Sequence, residues 1–181
     1  MSQIVKLSKE EVALCADMGL HRWLMKFGSV DRPNYAGENK KFMEPELMAN
    51  VRSIVAEYAV SKLWQLPHVL PFYPNSEHSF RKDIPDVLPN LEVKNMRTRD
   101  AVPLFPKDIR PGMLLVGTRV LDDDYFSQVE VYGWIPVEQC QQDDWWSVEM
   151  SGQRLCWRVP TSAFTDTRPV SSPQQSLHSN A

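Results

Sequence analysis

The residues with the clearest chemical potential lie between positions 81 and 94. Two short β-type runs, Ile84–Val87 and Leu91–Asn95, flank the turn-forming sequence Leu-Pro-Asn at 88–90. If the runs fold back on each other, Asp86 and Glu92 lie nearly opposite, with Cβ atoms roughly 5 Å apart. Two carboxylates at that distance repel each other, and a shared divalent cation such as Mg²⁺ removes the repulsion.

Lys94 extends this arrangement because side chains alternate between the two faces of a strand. Glu92 and Lys94 therefore share one face, while Leu91, Val93 and Val87 are expected on the other face, in the core. A metal-bound water is a nucleophile, and a nearby ammonium group positions it or offsets transition-state charge. Together these groups fit the hydrolysis of a phosphodiester.

Two acids outside this core leave alternatives open. Glu57 lies in a polar stripe of a predicted helix and could supply a third carboxylate, although the same stripe is typical of a solvated helix surface. Asp83 is an alternative to Asp86 as the metal ligand. The two lie three residues apart on a strand and are therefore expected on opposite faces. We favour Asp86, which follows a proline.

Pro85-Asp86 and Glu92-Val93-Lys94 resemble the motif of the PD-(D/E)XK, or restriction-endonuclease-like, nuclease superfamily, and Glu57 matches its helical glutamate. The resemblance covers about residues 44–140, and the downstream segments look like the small members often carried by bacteriophages. It implies an α/β restriction-endonuclease-like core, in which a central mixed β-sheet is flanked by helices. It also implies Mg²⁺ or Mn²⁺ dependence and DNA as substrate, with catalysis by Asp86, Glu92, Lys94 and Glu57, of which the three acids hold the metal.

The charged residues suggest partners. Basic residues near the motif could hold DNA phosphates or form an ordinary solvated rim. These basic residues are Arg81, Lys82, Arg97, Arg99, Lys107 and Arg110, of which the first five are the candidate DNA-binding residues. Residues 122–149 hold eight acids and no Lys or Arg, and could bind a protein. The alternative function is therefore a non-catalytic nucleic-acid- or protein-binding accessory protein on the same fold.

The elements that must position these residues follow from periodicity. A capping-box pattern at Ser8 opens a helix to about residue 27, residues 28–43 form a loop, and a second helix spans about 44–65. Short β-type runs follow, and those at 113–121 and 126–135 should pair as a hairpin around an acidic turn. The runs are expected at 69–73, 84–87, 91–95, 113–121, 126–135 and 154–159.

Composition sets the remaining limits. The 181 residues carry 43% hydrophobic residues and a net charge of −3, which indicates one globular domain over residues 1–162. The Ser/Pro/Gln-rich residues 163–181 are expected to form a flexible tail. Three widely spaced cysteines favour neither disulfides nor zinc. No apolar run is long enough for a membrane span and no secretory leader is evident, so we expect a cytoplasmic protein, in the host cytoplasm if phage-encoded.

Overall fold

A computed structural model describes residues 2–26, 46–69, 84–97, 100–122, 124–148 and 155–169. Within these ranges the chain is mixed α/β, with two long helices and two sheets. The helices are α1 (Lys9–Lys26) and α2 (Glu46–Trp64). The strands are β1 (Gln3–Lys6), β2 (Leu91–Asn95), β3 (Ala101–Leu104), β4 (Leu114–Val120), β5 (Gln128–Pro136), β6 (Trp146–Val148) and β7 (Leu155–Pro160).

Both helices that the sequence predicts are confirmed. The backbone N–H of Ser8 donates to the Glu11 carboxylate at 2.7 Å, and the N–H of Glu11 donates to the Ser8 hydroxyl at 3.3 Å, which is the capping box expected at the start of α1. The helices pack closely where Gly19 meets Val51, because a Cβ on Gly19 would lie 2.6 Å from the Val51 Cα. At the end of α2, Gln65 takes a left-handed conformation and turns the chain towards His68.

The larger sheet is mixed, with strand order β1-β5-β4-β2. β2 is parallel to β4, whereas β4 pairs antiparallel with β5, and β5 pairs antiparallel with β1. The β4–β5 pair is the hairpin predicted from the sequence. The acidic turn between the strands is held by Asp122, whose carboxylate accepts hydrogen bonds from the backbone of Ser127 and Gln128.

The smaller sheet is antiparallel, with strand order β3-β7-β6. The sequence predicted β7 but neither β3 nor β6, and it also missed β1. β3 contains Pro103, which counts against a strand in sequence reasoning. β6 is three residues long with every side chain exposed, so no alternation marks it.

The larger sheet has a hydrophobic cluster on each face. Val116 of β4 packs in the cluster beneath the helices, whereas its neighbour Leu115 packs in the cluster against the smaller sheet. In β2, Leu91 and Val93 face the helices together with Val87, as predicted. By alternation, the side chains of β2 that carry chemistry point away from the helix-covered face.

Residues 163–169 pack against the domain, so the predicted tail boundary at residue 163 is wrong. Residues 163–169 belong to the predicted flexible tail, yet Thr165 and Trp134 exchange two backbone hydrogen bonds of 2.9 Å. The indole of Trp134 also donates to the carbonyl of Thr167 at 2.7 Å, and Phe164 packs against the second cluster. Gly133 permits this contact, since a Cβ there would lie 2.1 Å from the Thr165 carbonyl oxygen. The prediction failed because it used the average composition of the segment, which does not show that a few of its residues make specific contacts.

Some predictions lie outside the described residues. These are the loop at 28–43, the β-type run beyond residue 69 and the tail from residue 170. Among the residues that are described, neither helix combines the length and the hydrophobicity that crossing a bilayer requires.

Candidate functional site

The chain folds back on itself between Val87 and Leu91, as the sequence predicts. These two residues form an antiparallel bridge, in which the Leu91 N–H donates to the Val87 carbonyl at 2.9 Å. This register sets Asp86 opposite Glu92. Of the β-type run expected at 84–87, only Val87 pairs in this way; on its other side it bridges His68.

Asp86 is fixed to the strand that carries the other two motif residues. Its carboxylate accepts a hydrogen bond of 2.8 Å from the backbone N–H of Val93, which lies between Glu92 and Lys94. Burial raises the pKa of Asp86 well above its ordinary value, and the negative charges of Glu57 and Glu92 raise it further, against the opposing effect of Lys94. The surroundings of Asp86 therefore disfavour its ionised form.

Glu92 and Lys94 belong to a chain of ion pairs. The Lys94 ammonium lies 2.8 Å from a Glu92 carboxylate oxygen and 2.8 Å from an oxygen of Asp108. The other Glu92 oxygen pairs with the Arg110 guanidinium. Burial alone would lower the pKa of Lys94, but Glu92, Asp108 and Asp86 outweigh it and raise the pKa. Lys94 is thus held firmly in its charged form.

The connection between β3 and β4 brings Asp108 and Arg110 to this chain. A short 3-10 helix, Pro106–Asp108, begins this connection with a proline, whose missing N–H costs nothing at a helix start. The end of the β3–β4 connection is hydrogen-bonded to the turn at 88–90. The Asn90 side chain donates to the Gly112 carbonyl, and the Leu114 N–H donates to the Asn90 carbonyl. The two segments that carry the site therefore hold each other in place.

Glu57 is buried, so its interpretation as a solvated helix residue is wrong. Both of its carboxylate oxygens lie 2.7 Å from the Arg22 guanidinium of α1, and one lies 3.2 Å from the His68 ring. Burial alone would raise the pKa of Glu57, but Arg22 and His68 outweigh it and lower the pKa. Glu57 is an ionised carboxylate with strong partners.

The four motif residues come from three separate segments: α2, the turn before β2, and β2 itself. Asp86 feels the charges of both Glu57 and Glu92 and is the link between them. Glu57, however, lies on the helix side with Arg22, whereas Glu92 and Lys94 belong to the opposite face. The arrangement joins Asp86, Glu92 and Lys94 more closely than it joins Glu57 to them.

Sequence reasoning gave no role to His68, Arg22 or Asp108, and it counted Arg110 only among the basic residues that could hold phosphates or form a solvated rim. All four contact a motif residue directly. None has a fixed spacing from the residue that it pairs with, so no local sequence signal marks them. Arg110 alone is indicated by composition, because it belongs to residues 81–110, which hold seven basic residues against five acids.

The predicted partner surfaces are only partly described. Arg97 and Lys107 are exposed, whereas Arg81, Lys82 and Arg99, together with Asp83, lie outside the described residues. In the acidic segment, Asp122 is used internally by the β4–β5 turn, whereas Asp143 and Asp144 are exposed beside β6.

The ligand types at the turn are those that Mg²⁺ takes, but both oxygens of Glu92 are paired with Lys94 and Arg110. Asp86 and Glu92 are both acids, and Mg²⁺ accepts one or two protein carboxylates together with water and substrate phosphate. Across the described ranges no group of three or more His, Cys, Asp or Glu side chains has metal-binding geometry. A third ligand from Glu57 would require it to exchange its bonds with Arg22.

Comparisons of the chain with protein-family models, with curated proteins and with solved structures give no match.

Proposed function

We propose that this protein is a Mg²⁺- or Mn²⁺-dependent deoxyribonuclease that hydrolyses DNA phosphodiesters on a restriction-endonuclease-like core. In this proposal Asp86 and Glu92 hold the metal ion, Lys94 acts on the attacking water, and Glu57 is an auxiliary acid. The mixed sheet with α2 packed on one face is compatible with such a core.

The observation that supports the proposal most is the state of Asp86. Its pKa is raised by burial and by the charges of Glu57 and Glu92, which come from a different element and from the other arm of the turn. A buried carboxyl whose pKa is raised by burial and by two nearby carboxylates is a candidate for a functional site. A divalent cation would relieve the repulsion that now disfavours the ionised Asp86.

Each side chain at the site has a separate role in the proposed reaction. The Lys94 ammonium stays charged beside Glu92, where it can orient a water molecule and stabilise negative charge on a phosphate. Asp108 lies 2.8 Å from the same ammonium and places a second negative charge beside it. When bound, Mg²⁺ supplies Lewis acidity and makes its bound water easier to deprotonate. Glu57 can bind the metal ion only after its carboxylate has given up its hydrogen bonds with Arg22.

DNA would be held by positive charge near the site. Arg97 and Lys107 are exposed there, and Arg81, Lys82 and Arg99 are proposed to add to them. Contacts of this kind make affinity fall steeply with salt.

The test is a cleavage assay with Mg²⁺ and Mn²⁺ on linear, circular and branched DNA. We expect cleavage by the wild type and none by Glu92→Ala or by the isosteric Glu92→Gln. Glu10→Gln, a matched change at an exposed position of α1, should cleave as the wild type does. A wild type that cuts none of these substrates, or a Glu92 variant that still cuts them, refutes the proposal.

A non-catalytic binding protein is the second candidate, and one observation favours it. Both carboxylate oxygens of Glu57 contact the Arg22 guanidinium, and those of Glu92 pair with Lys94 and Arg110, so both charges are balanced without a metal. Calorimetric titration with Mn²⁺ separates the two candidates. Binding that is lost in Glu92→Gln supports the nuclease, and an absence of binding supports the second candidate.

A further inference from the structure

The Arg110 guanidinium is poorly satisfied for a group so largely buried. Its Nη2 pairs with Glu92, and its Nη1 is 3.4 Å from the Ile84 carbonyl oxygen. The Nε atom is buried and has no hydrogen-bond partner within the described part of the chain. A guanidinium carries five N–H donors, and buried donors without partners are uncommon. Arg110 therefore has binding capacity that its present contacts do not use.

Arg110 also depends on a carboxylate that is shared. Lys94 contacts both Glu92 and Asp108, whereas Arg110 has Glu92 as its carboxylate partner. If Glu92 binds a divalent cation, Lys94 keeps Asp108 but Arg110 loses its counter-charge. A largely buried cation without an anion is unfavourable, so Arg110 then needs another anionic partner.

The chemistry of a guanidinium indicates what that partner is. Its planar fork matches two oxygens of a phosphate, and it is more weakly hydrated than an ammonium group. The position beside Glu92 puts it next to the residues proposed to act on a phosphodiester. Exposed Lys107, three residues earlier in the same connection, adds positive charge nearby.

We infer that Arg110 binds a backbone phosphate of the DNA beside the bond that is cut, and that it exchanges Glu92 for this phosphate when a divalent cation binds. The inference rests on the proposed nuclease function. It makes the binding of the cation and the binding of DNA cooperative, because each removes an obstacle to the other: the cation frees Arg110, and the phosphate takes Arg110 away from Glu92.

The test compares Arg110→Ala and Arg110→Lys with the wild type. Arg119→Ala is the matched control, since Arg119 lies four residues along β4 from Leu115, the partner of Glu92, or about 13 Å at the usual rise of a strand. The probes are Mn²⁺, followed by calorimetry, and a duplex oligonucleotide with hydrolysis-resistant phosphorothioate linkages, followed by fluorescence anisotropy with and without Mn²⁺. Circular dichroism checks that each variant is folded.

Arg110→Ala should bind Mn²⁺ about tenfold more tightly without DNA, because a competing positive charge beside Glu92 is gone. In Mn²⁺ it should bind the duplex about tenfold more weakly, with a salt dependence reduced by about one phosphate contact. The gain in DNA affinity that Mn²⁺ gives the wild type should disappear. Arg110→Lys, which keeps the charge without the fork, should keep the wild-type affinity for Mn²⁺ and recover only part of the affinity for DNA. Arg119→Ala should match the wild type throughout.

Unchanged Mn²⁺ affinity together with an unchanged salt dependence in Arg110→Ala overturns the inference. If Arg110→Ala does not fold, the lysine variant decides, and wild-type behaviour of that variant towards DNA overturns it. A wild type that cuts DNA, with an Arg110→Ala variant that binds both probes as the wild type does, refutes this inference alone. A wild type that shows the coupling yet cuts no DNA refutes the nuclease and supports the coupling. A wild type that binds neither probe refutes both.

Discussion

The carboxylate of Asp86 accepts a hydrogen bond from the backbone N–H of Val93, the residue between Glu92 and Lys94. An acid on one arm of the turn is thereby fixed to the strand that carries the other two motif residues. The two hydrogen-bonded residues are seven positions apart in the sequence, on either side of the turn at 88–90. The relative position of Asp86, Glu92 and Lys94 is therefore a local property of this turn, and Glu57 and Arg110 are brought to it by tertiary packing.

Asp86→Asn should raise the melting temperature at neutral pH in EDTA and weaken Mn²⁺ binding. The amide oxygen can still accept the hydrogen bond from Val93, while the repulsion from Glu57 and Glu92 is removed. Because the folded state raises the pKa of Asp86, this carboxyl contributes stability in acid that is lost as the pH rises through the raised pKa. The difference between variant and wild type should thus vanish in acid. Asp17→Asn, at an exposed position of α1, should change neither quantity, and a lower melting temperature for Asp86→Asn at neutral pH would contradict the assignment.

Glu57→Gln should destabilise the protein by about 3 kcal/mol, because it leaves the Arg22 guanidinium without its carboxylate partner in a largely buried place. The double variant Arg22→Met/Glu57→Leu should recover much of this loss, since it removes both buried charges together. Urea unfolding measures the difference. Asp17→Asn, at an exposed position of α1, is the control and should unfold as the wild type does. Equal unfolding of Glu57→Gln and wild type would show that the buried ion pair is not formed.

Lys94→Ala should keep Mn²⁺ binding but lower single-turnover cleavage by on the order of a hundredfold, the usual loss for one electrostatic stabiliser. Removing the ammonium takes a positive charge away from Glu92, so the affinity for the cation should not fall. Lys62→Ala is a suitable control, because Lys62 pairs with Glu11 at the start of α1. Loss of Mn²⁺ binding in Lys94→Ala would indicate that Lys94 has a structural role in shaping the metal site.

Asp122→Ala should destabilise the protein by about 1 to 2 kcal/mol, since its carboxylate accepts three hydrogen bonds from Ser127 and Gln128. Burial alone would raise the pKa of Asp122, but these hydrogen bonds outweigh it and lower the pKa. The stability that the ionised carboxylate contributes is present above the unfolded pKa and is lost as the pH falls through the lowered value, so the difference between the two proteins should shrink as the pH falls below about 4. Asp124→Ala, at an exposed position of the same turn, should leave the free energy of unfolding unchanged. Equal effects of the two substitutions would mean that Asp122 does not hold the turn.

The features predicted correctly from the sequence are local ones. α1 and α2 follow from the 3.6-residue period and from the capping box at Ser8, and the β4–β5 hairpin follows from two β-type runs around an acidic turn. The fold-back at 88–90 and the sorting of Leu91 and Val93 onto the core face also follow from spacing alone.

The features that the sequence did not predict depend on distant segments. The partner of Glu57 comes from another helix, and the partners of Lys94 and Glu92 come from the connection before β4. Such ion pairs are set by how the elements pack, so no periodicity reports them. β3 was missed because Pro103 argues against a strand, although an edge position tolerates it.

The packing of residues 163–169 predicts different effects for two C-terminal truncations. Removing residues 163–181 should lower the free energy of unfolding by about 3 kcal/mol, because it deletes the two backbone bonds between Thr165 and Trp134 and the packed ring of Phe164. Removing residues 170–181 alone should leave it nearly unchanged, since that Ser- and Gln-rich sequence offers little apolar surface. Thermal and urea unfolding of the two truncated proteins beside the full chain provide the comparison. If both truncations were neutral, the contacts of Thr165 and Phe164 would contribute nothing to stability, and the tail boundary at residue 163 that the composition predicts would be the correct one.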